Sequence, residues 1–141
     1  MPWPPQTPYL TTDGIVEIYK QEKFLGIVLI KRKNPPLGFA LPGGFVDRGE
    51  KVEDALKREM QEEINLDVEI THLLGVYSDP SRDPRLHTAS VVYVAKASSL
   101  PKAGDDAKEA FIKHPLEIEL DTLVFDHAEI IKDYLLYKKL Q

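Results

Sequence analysis

The sequence predicts a single α/β domain in which a mixed β-sheet is packed in layers with helices. Three observations predict it. Strand-like segments recur along the chain, one amphipathic helix interrupts them, and a second helix closes the chain. At 141 residues there is room for one hydrophobic core, so residues 1–141 are read as one domain.

The elements follow in chain order. After a Pro-rich start, residues 14–20 alternate Ile15, Glu17 and Tyr19 against Val16 and Ile18, the two-residue period of a strand. Residues 24–31 form a second strand with an apolar run of the buried type, and Gln21 and Glu22 join the two as a hairpin. Residues 34–44 contain Pro35, Pro36, Pro42, Gly38, Gly43 and Gly44, which predicts an ordered loop carrying no regular ladder. Residues 52–64 read as a helix because Val52, Ala55, Leu56, Met60 and Ile64 recur at helical spacing. Strands follow at 68–77 and 88–97, then an acidic turn at 104–106 and a short β or irregular piece over 111–120. For the closing helix, Asp126 is the expected N-cap. Glu129 completes a capping-box pattern ahead of Ile130, Ile131, Tyr134 and Leu135.

Composition narrows the function. Lys and Arg number 18 against 23 Asp and Glu, a net charge of −5 that argues against a nucleic-acid polymer as partner. Cysteine is absent, which removes disulfides, thiol nucleophiles and cysteine metal sites, so any metal must be held by oxygen or imidazole. The apolar runs at 27–30 and 91–95 fall far short of the ~20 residues that span a bilayer, and the start lacks a signal-peptide layout. No membrane association and a cytoplasmic location are expected.

The central helix carries the informative irregularity. Glu59 interrupts its inward row, Glu63 follows one turn later, and Glu62 stands beside them. Like charges at this spacing repel, and the repulsion grows as the site dries out. On a helix that also carries Lys57 and Arg58, such residues can simply form a solvated acidic face. The alternative compensation is a hard divalent cation such as Mg²⁺, which takes one or two carboxylates together with substrate phosphates.

The surrounding spacing bears on that choice. Gly44 is followed after five residues by Glu50 and, after seven more, by Arg58-Glu59-Met60-Gln61-Glu62-Glu63-Ile64-Asn65-Leu66. Residues 44–66 thereby resemble the Nudix hydrolase box, with Asn65 where the family has glycine. Asn tolerates the left-handed conformation at a helix end, so the loop–helix–loop is expected to survive the exchange. The resemblance implies a Nudix-type α/β/α sandwich and cleavage of a nucleoside diphosphate linked to a further group. It implies Mg²⁺, with Mn²⁺ as the alternative, held by the Gly43 carbonyl, Glu59, Glu62 and Glu63. It also implies that Gly44, Glu50 and Arg58 support the motif, Arg58 and Glu50 as a pair. In this family a later carboxylate often completes the site or acts as base, and the run at 104–110 offers Glu109 first and Asp106 second.

Residues 39–47, 77–87, 104–107 and 124–127 further resemble the short single-domain ADP-ribose pyrophosphatases. Arg82, Arg85, His87 and Phe39 are then the expected substrate-binding residues, the two arginines because their forks suit phosphate oxygens. The expected reaction converts ADP-ribose to AMP and ribose 5-phosphate. Two other substrate classes fit the box: oxidised nucleoside triphosphates of the 8-oxo-dGTP type, and dinucleoside polyphosphates. A non-catalytic ADP-ribose sensor is disfavoured by the intact glutamate set and by the short stretch of chain after Asp126. The small nucleotide is the expected partner, and a homodimer the expected assembly.

Overall fold

Strand β1 (Tyr9–Lys20) runs through the middle of the sheet in a computed structural model that describes residues 2–104 and 106–139. Residues 11–18 are all buried, as a strand covered on both faces requires. β1 pairs in parallel with β6 (Thr88–Ala97) from Tyr9 opposite Thr88 to Ile18 opposite Ala97, and β6 pairs antiparallel with the edge strand β5 (Glu69–Tyr77). On its other side β1 forms a hairpin with β2 (Lys23–Arg32). The connecting Gln21 and Glu22 have φ of 52° and 66°, the left-handed pair that matches the twist of a two-residue hairpin.

The sheet splits where the site lies. β2 pairs with the end of β1, whereas the start of β1 pairs over residues 11–13 with β4 (Gly43–Phe45). The far part of β2 pairs with β3 (Phe39–Ala40), and β7 (Ala107–Lys113) also joins β2. The turn between β3 and β4 is thus bracketed by two strands. Residues 34–44 were expected to carry no ladder, and two short ones are present. Their few residues show no period, but Phe39, Ala40 and Gly44 keep backbone N–H groups that neighbouring strands can use.

Two helices cover opposite faces. α1 (Val52–Ile64) packs Leu56, Met60 and Ile64 against Val16, Ile18, Val28 and Ile30. α2 (His127–Lys138) packs Ile130, Ile131 and Tyr134 against Ile15, Ile27 and Leu29. The alternating residues of β1 and β2 are therefore divided between two cores, which is the expected layered α/β arrangement.

Three expectations are corrected. β1 starts five residues before Gly14, the residue at which the strand was expected to begin. The expected β or irregular piece at 111–120 begins earlier, at Ala107, and ends at Lys113; two single 3₁₀ turns, Pro115–Glu117 and Leu120–Thr122, follow it. Asp126 occupies the N-cap position of α2 but makes no capping hydrogen bond, because Arg82 has taken both of its carboxylate oxygens. Asp105, in the acidic turn, lies outside the described residues. Among the described residues no helix is long and apolar enough to cross a membrane.

Candidate active site

α1 delivers its glutamates by phase. Glu63 falls in the inward row and is buried, while Glu59, with its side chain 14% exposed, sits one turn earlier at the rim, and Glu62, at 46%, faces out. The helix ends at Asn65 in the left-handed conformation (φ 56°, ψ 40°), and the Asn65 amide donates to the Lys102 carbonyl at 2.8 Å. That exit lets residues 102–104 dock on the end of the helix. Lys102 N–H donates to the Ile64 carbonyl at 2.9 Å and Gly104 N–H to the Glu63 carbonyl at 2.7 Å. A Cβ on Gly104 would strike the Glu62 carbonyl, so only glycine permits this approach, which brings Asp106 to the same cavity as Glu59 and Glu63.

Arg58 organises the outer side. It forms a two-pronged pair with Glu50 at 2.8 and 2.9 Å, and also donates to Glu59 at 2.8 Å, Glu62 at 3.1 Å and the Phe45 carbonyl at 3.0 Å. The Arg58 hydrogen bonds hold the Glu50 carboxyl down at about 2. Gly43 and Gly44 are needed for space: a Cβ on Gly44 would run into the Glu59 carboxylate, and one on Gly43 into Asp13.

A cavity of about 290 Å³ opens above these groups. Its acidic wall is Glu59, Glu63, Asp106 and Asp13. Burial pushes the Glu63 carboxyl up to about 8, and the neighbouring charges of Glu59, Asp13 and Asp106 push the same way. Burial also raises Glu59, although Arg58 opposes it. Among the described residues Glu63 forms no salt bridge and receives only the Gly43 N–H at 3.4 Å, although the charge of Arg32 acts on it across the cavity. The opposite wall is cationic and aromatic: Arg32 and Arg85 lie 5.0 and 5.3 Å from the Phe125 ring centre, and Arg85 lies 5.7 Å from that of Phe45. Burial lowers the Arg32 pKa, and the Arg85 charge adds to that.

The donor set suits a hard cation. Every candidate ligand is an oxygen, and a cation would compensate a buried carboxylate that the protein leaves without a salt bridge. Among the described residues no three His, Cys, Asp or Glu side chains are gathered closely enough to hold a metal ion by themselves.

The sequence pattern that defines the NUDIX domain matches residues 8–134, nearly the whole chain. The chain belongs to the NUDIX hydrolase family. It is 50% identical over 135 residues, 93% of this chain and 75% of the relative, to the ADP-ribose pyrophosphatase of Methanocaldococcus jannaschii. Among solved structures, a MutT/nudix family protein from Enterococcus faecalis aligns with a TM-score of 0.79 and 33% identity over 94% of this chain. This chain spans 62% of that protein's length. A mutT/nudix family protein from Listeria innocua aligns at 0.76 and 33% identity, covering 95% of this chain and 96% of that one.

Within this NUDIX domain the expected site residues divide. Gly43, Gly44, Glu59, Glu63, Asp106, Arg82 and Arg85 line the cavity. Glu62, Glu50 and Arg58 stand behind it as the network already described. Asp106 lines the cavity and the preferred Glu109 does not: residues 107–113 form a strand instead of a loop, and its register sets an exposed Glu109 opposite Lys31. Arg82 is buried, with its fork spent on Asp126 at 2.7 and 2.9 Å and on the Thr88 hydroxyl at 2.7 Å. Arg85 is paired with Asp83 at 2.8 and 3.0 Å and still reaches the aromatic wall. His87 contacts the Ser78 carbonyl at 2.9 Å, and Phe39 packs edge-on against Phe111; neither lines the cavity.

Asp13, Arg32, Phe125 and His127 belong to the cavity and were not singled out from the sequence as site residues. Asp13 falls just before the glycine at which the strand was expected to start. His127 lies within a segment quoted for its resemblance, but nothing local marks its ring as buried.

Proposed function

We propose that the protein hydrolyses the pyrophosphate bond of ADP-ribose, with Mg²⁺ as its metal, giving AMP and ribose 5-phosphate. The observation that carries this reading is the 50% identity to the Methanocaldococcus jannaschii ADP-ribose pyrophosphatase over 93% of the chain. The two-sided charge of the cavity supports it, because a cation and a diphosphate must occupy one space.

Glu59, Glu63 and the Gly43 carbonyl would hold the ion, with Glu62 in reserve behind them. Bound there, Mg²⁺ supplies positive charge against the pyrophosphate oxygens and lowers the pKa of water. Asp106, on the same wall, accepts the proton of the attacking water as its oxygen bonds to phosphorus and the bridging P–O bond breaks. Arg85 and Arg32 orient the anionic substrate across from the carboxylates, and Arg82 holds the loop that carries Arg85. Mn²⁺ is the alternative ion. The working form is read as a homodimer, with the exposed Trp3 and Tyr9 near the Pro-rich start as apolar surface for pairing.

The deciding measurement is product analysis on ADP-ribose, 8-oxo-dGTP and a dinucleoside polyphosphate with Mg²⁺ and with chelator. AMP and ribose 5-phosphate form from ADP-ribose with Mg²⁺ alone; silence on ADP-ribose beside turnover of either other substrate overturns the reading. Light scattering that returns a monomer mass overturns the dimer.

A further inference from the structure

His127 is a buried imidazole at the first position of α2, and none of the steps above uses it. Its Nδ1 accepts the Leu41 N–H at 3.0 Å. A ring nitrogen that accepts leaves the ring proton on Nε2, which faces the Asp13 carboxylate at 3.8 Å. Asp13 in turn accepts the Ser90 hydroxyl at 2.5 Å. One ring therefore connects α2, β1 and the turn between β3 and β4.

The turn needs that connection at one atom. β3 ends at Ala40 and β4 begins at Gly43, so neither ladder reaches Leu41, and Pro42 has no N–H to offer. The points that fix this backbone are Leu41 N–H on His127, the Pro42 carbonyl accepting Gly14 N–H at 2.9 Å, and Gly43 N–H on Glu63 at 3.4 Å. His127 is itself fixed from its own side. Asp126 is clamped by Arg82, and Phe125 holds a left-handed φ of 57°, an unfavourable conformation for a bulky residue and of the kind retained where a site needs it.

We propose that His127 is a positioning residue for the cation site: by holding the Leu41 N–H it fixes the Pro42–Gly43 backbone, and with it the Gly43 carbonyl, relative to Glu63. The role rests on the reading that this carbonyl is a metal ligand. It makes His127 an outer partner of a ligand, a class whose loss weakens metal binding about 10–100-fold.

The test titrates Mn²⁺ into the substrate-free protein, following free Mn²⁺ by its paramagnetic resonance signal, for wild type, His127→Asn and His127→Leu. The Asn side-chain oxygen can stand where Nδ1 stood; Leu fills the space without an acceptor. His127→Leu is expected to bind Mn²⁺ about 10–100-fold more weakly, His127→Asn to keep most of the affinity, and the KM for substrate at saturating metal to stay near wild type. Equal affinity in wild type and His127→Leu overturns the positioning role while leaving the metal reading intact. Equal weakening in both variants overturns it as well, because packing alone then explains the residue. Wild type that binds no Mn²⁺ overturns the metal reading and the role together. Should His127→Leu fail to fold, nuclear magnetic resonance on the wild type decides. A coupling between the Leu41 amide nitrogen and His127 Nδ1 is expected, with both signals moving on addition of Mg²⁺; protonated Nδ1 or unmoved signals overturn the proposal.

Discussion

Arg58 and Arg82 each hold one wall of the same cavity, by different means. Arg58 is part-exposed and gathers groups close in sequence, with Glu50 eight residues away and Glu59 and Glu62 on its own helix. Arg82 is buried and joins the 78–87 loop to Asp126, 44 residues distant, at the start of the other helix. The first network arranges charges that the chemistry uses. The second supports a wall built from distant segments.

Breaking the acidic wall at its most buried member has the largest expected effect. Glu63→Gln is expected to reduce turnover by more than the roughly 10–100-fold typical of outer groups, since a ligand itself is lost. The same change has an opposite effect on stability. The Glu63 carboxyl is raised from 4.5 to about 8 in the folded protein, so the fold binds this proton more tightly than the unfolded chain does. Its stabilising contribution is complete below about pH 4.5 and is lost as pH rises to about 8. Metal-free wild type should therefore lose melting temperature between pH 5 and 8 relative to Glu63→Gln, and added Mg²⁺ should narrow the gap; parallel melting curves without metal would contradict this account.

Next in size is the contrast between the two arginines. Arg82→Ala removes a buried guanidinium and leaves the partly buried Asp126 without its partner, and is expected to cost about 3 kcal/mol in chemical denaturation. Arg58→Ala, at a part-exposed network, is expected to cost about 1 kcal/mol while reducing turnover, because Glu59 and Glu50 lose their orientation. If the stability losses come out equal, the division between the walls is wrong. The smallest effect is expected for Asn65→Gly, which relieves a left-handed residue but removes one exposed hydrogen bond to Lys102; stability should change by less than about 1 kcal/mol.

The same contrast explains what could be read in advance. α1 and its charges were legible to the residue, because helical spacing, the Glu50–Arg58 pair and the Asn65 exit are all local. β6 was equally clear, around its apolar run at 91–95. The far wall was not legible. Asp13 enters the site only through pairing with β4, and His127 only because Leu41 lies beside it. Arg82 looked like a phosphate fork, since nothing in a loop sequence reveals that Asp126 will occupy it. Glu109 was preferred over Asp106 because the pairing of residues 107–113 with β2 depends on a partner far back in the chain.

The parallel ladder between β1 and β6 has a consequence for how the chain is made. Its partners lie 79 positions apart, so the strand at the centre of the sheet gains a neighbour on its second edge only after residue 97 has followed it. Until then β1 is paired along one edge only, with β2 and the short β4, and closing so long a loop must precede any gain from its other edge. Folding of the nascent chain should accordingly be completed late, with the acidic helix formed well before the wall that it will face.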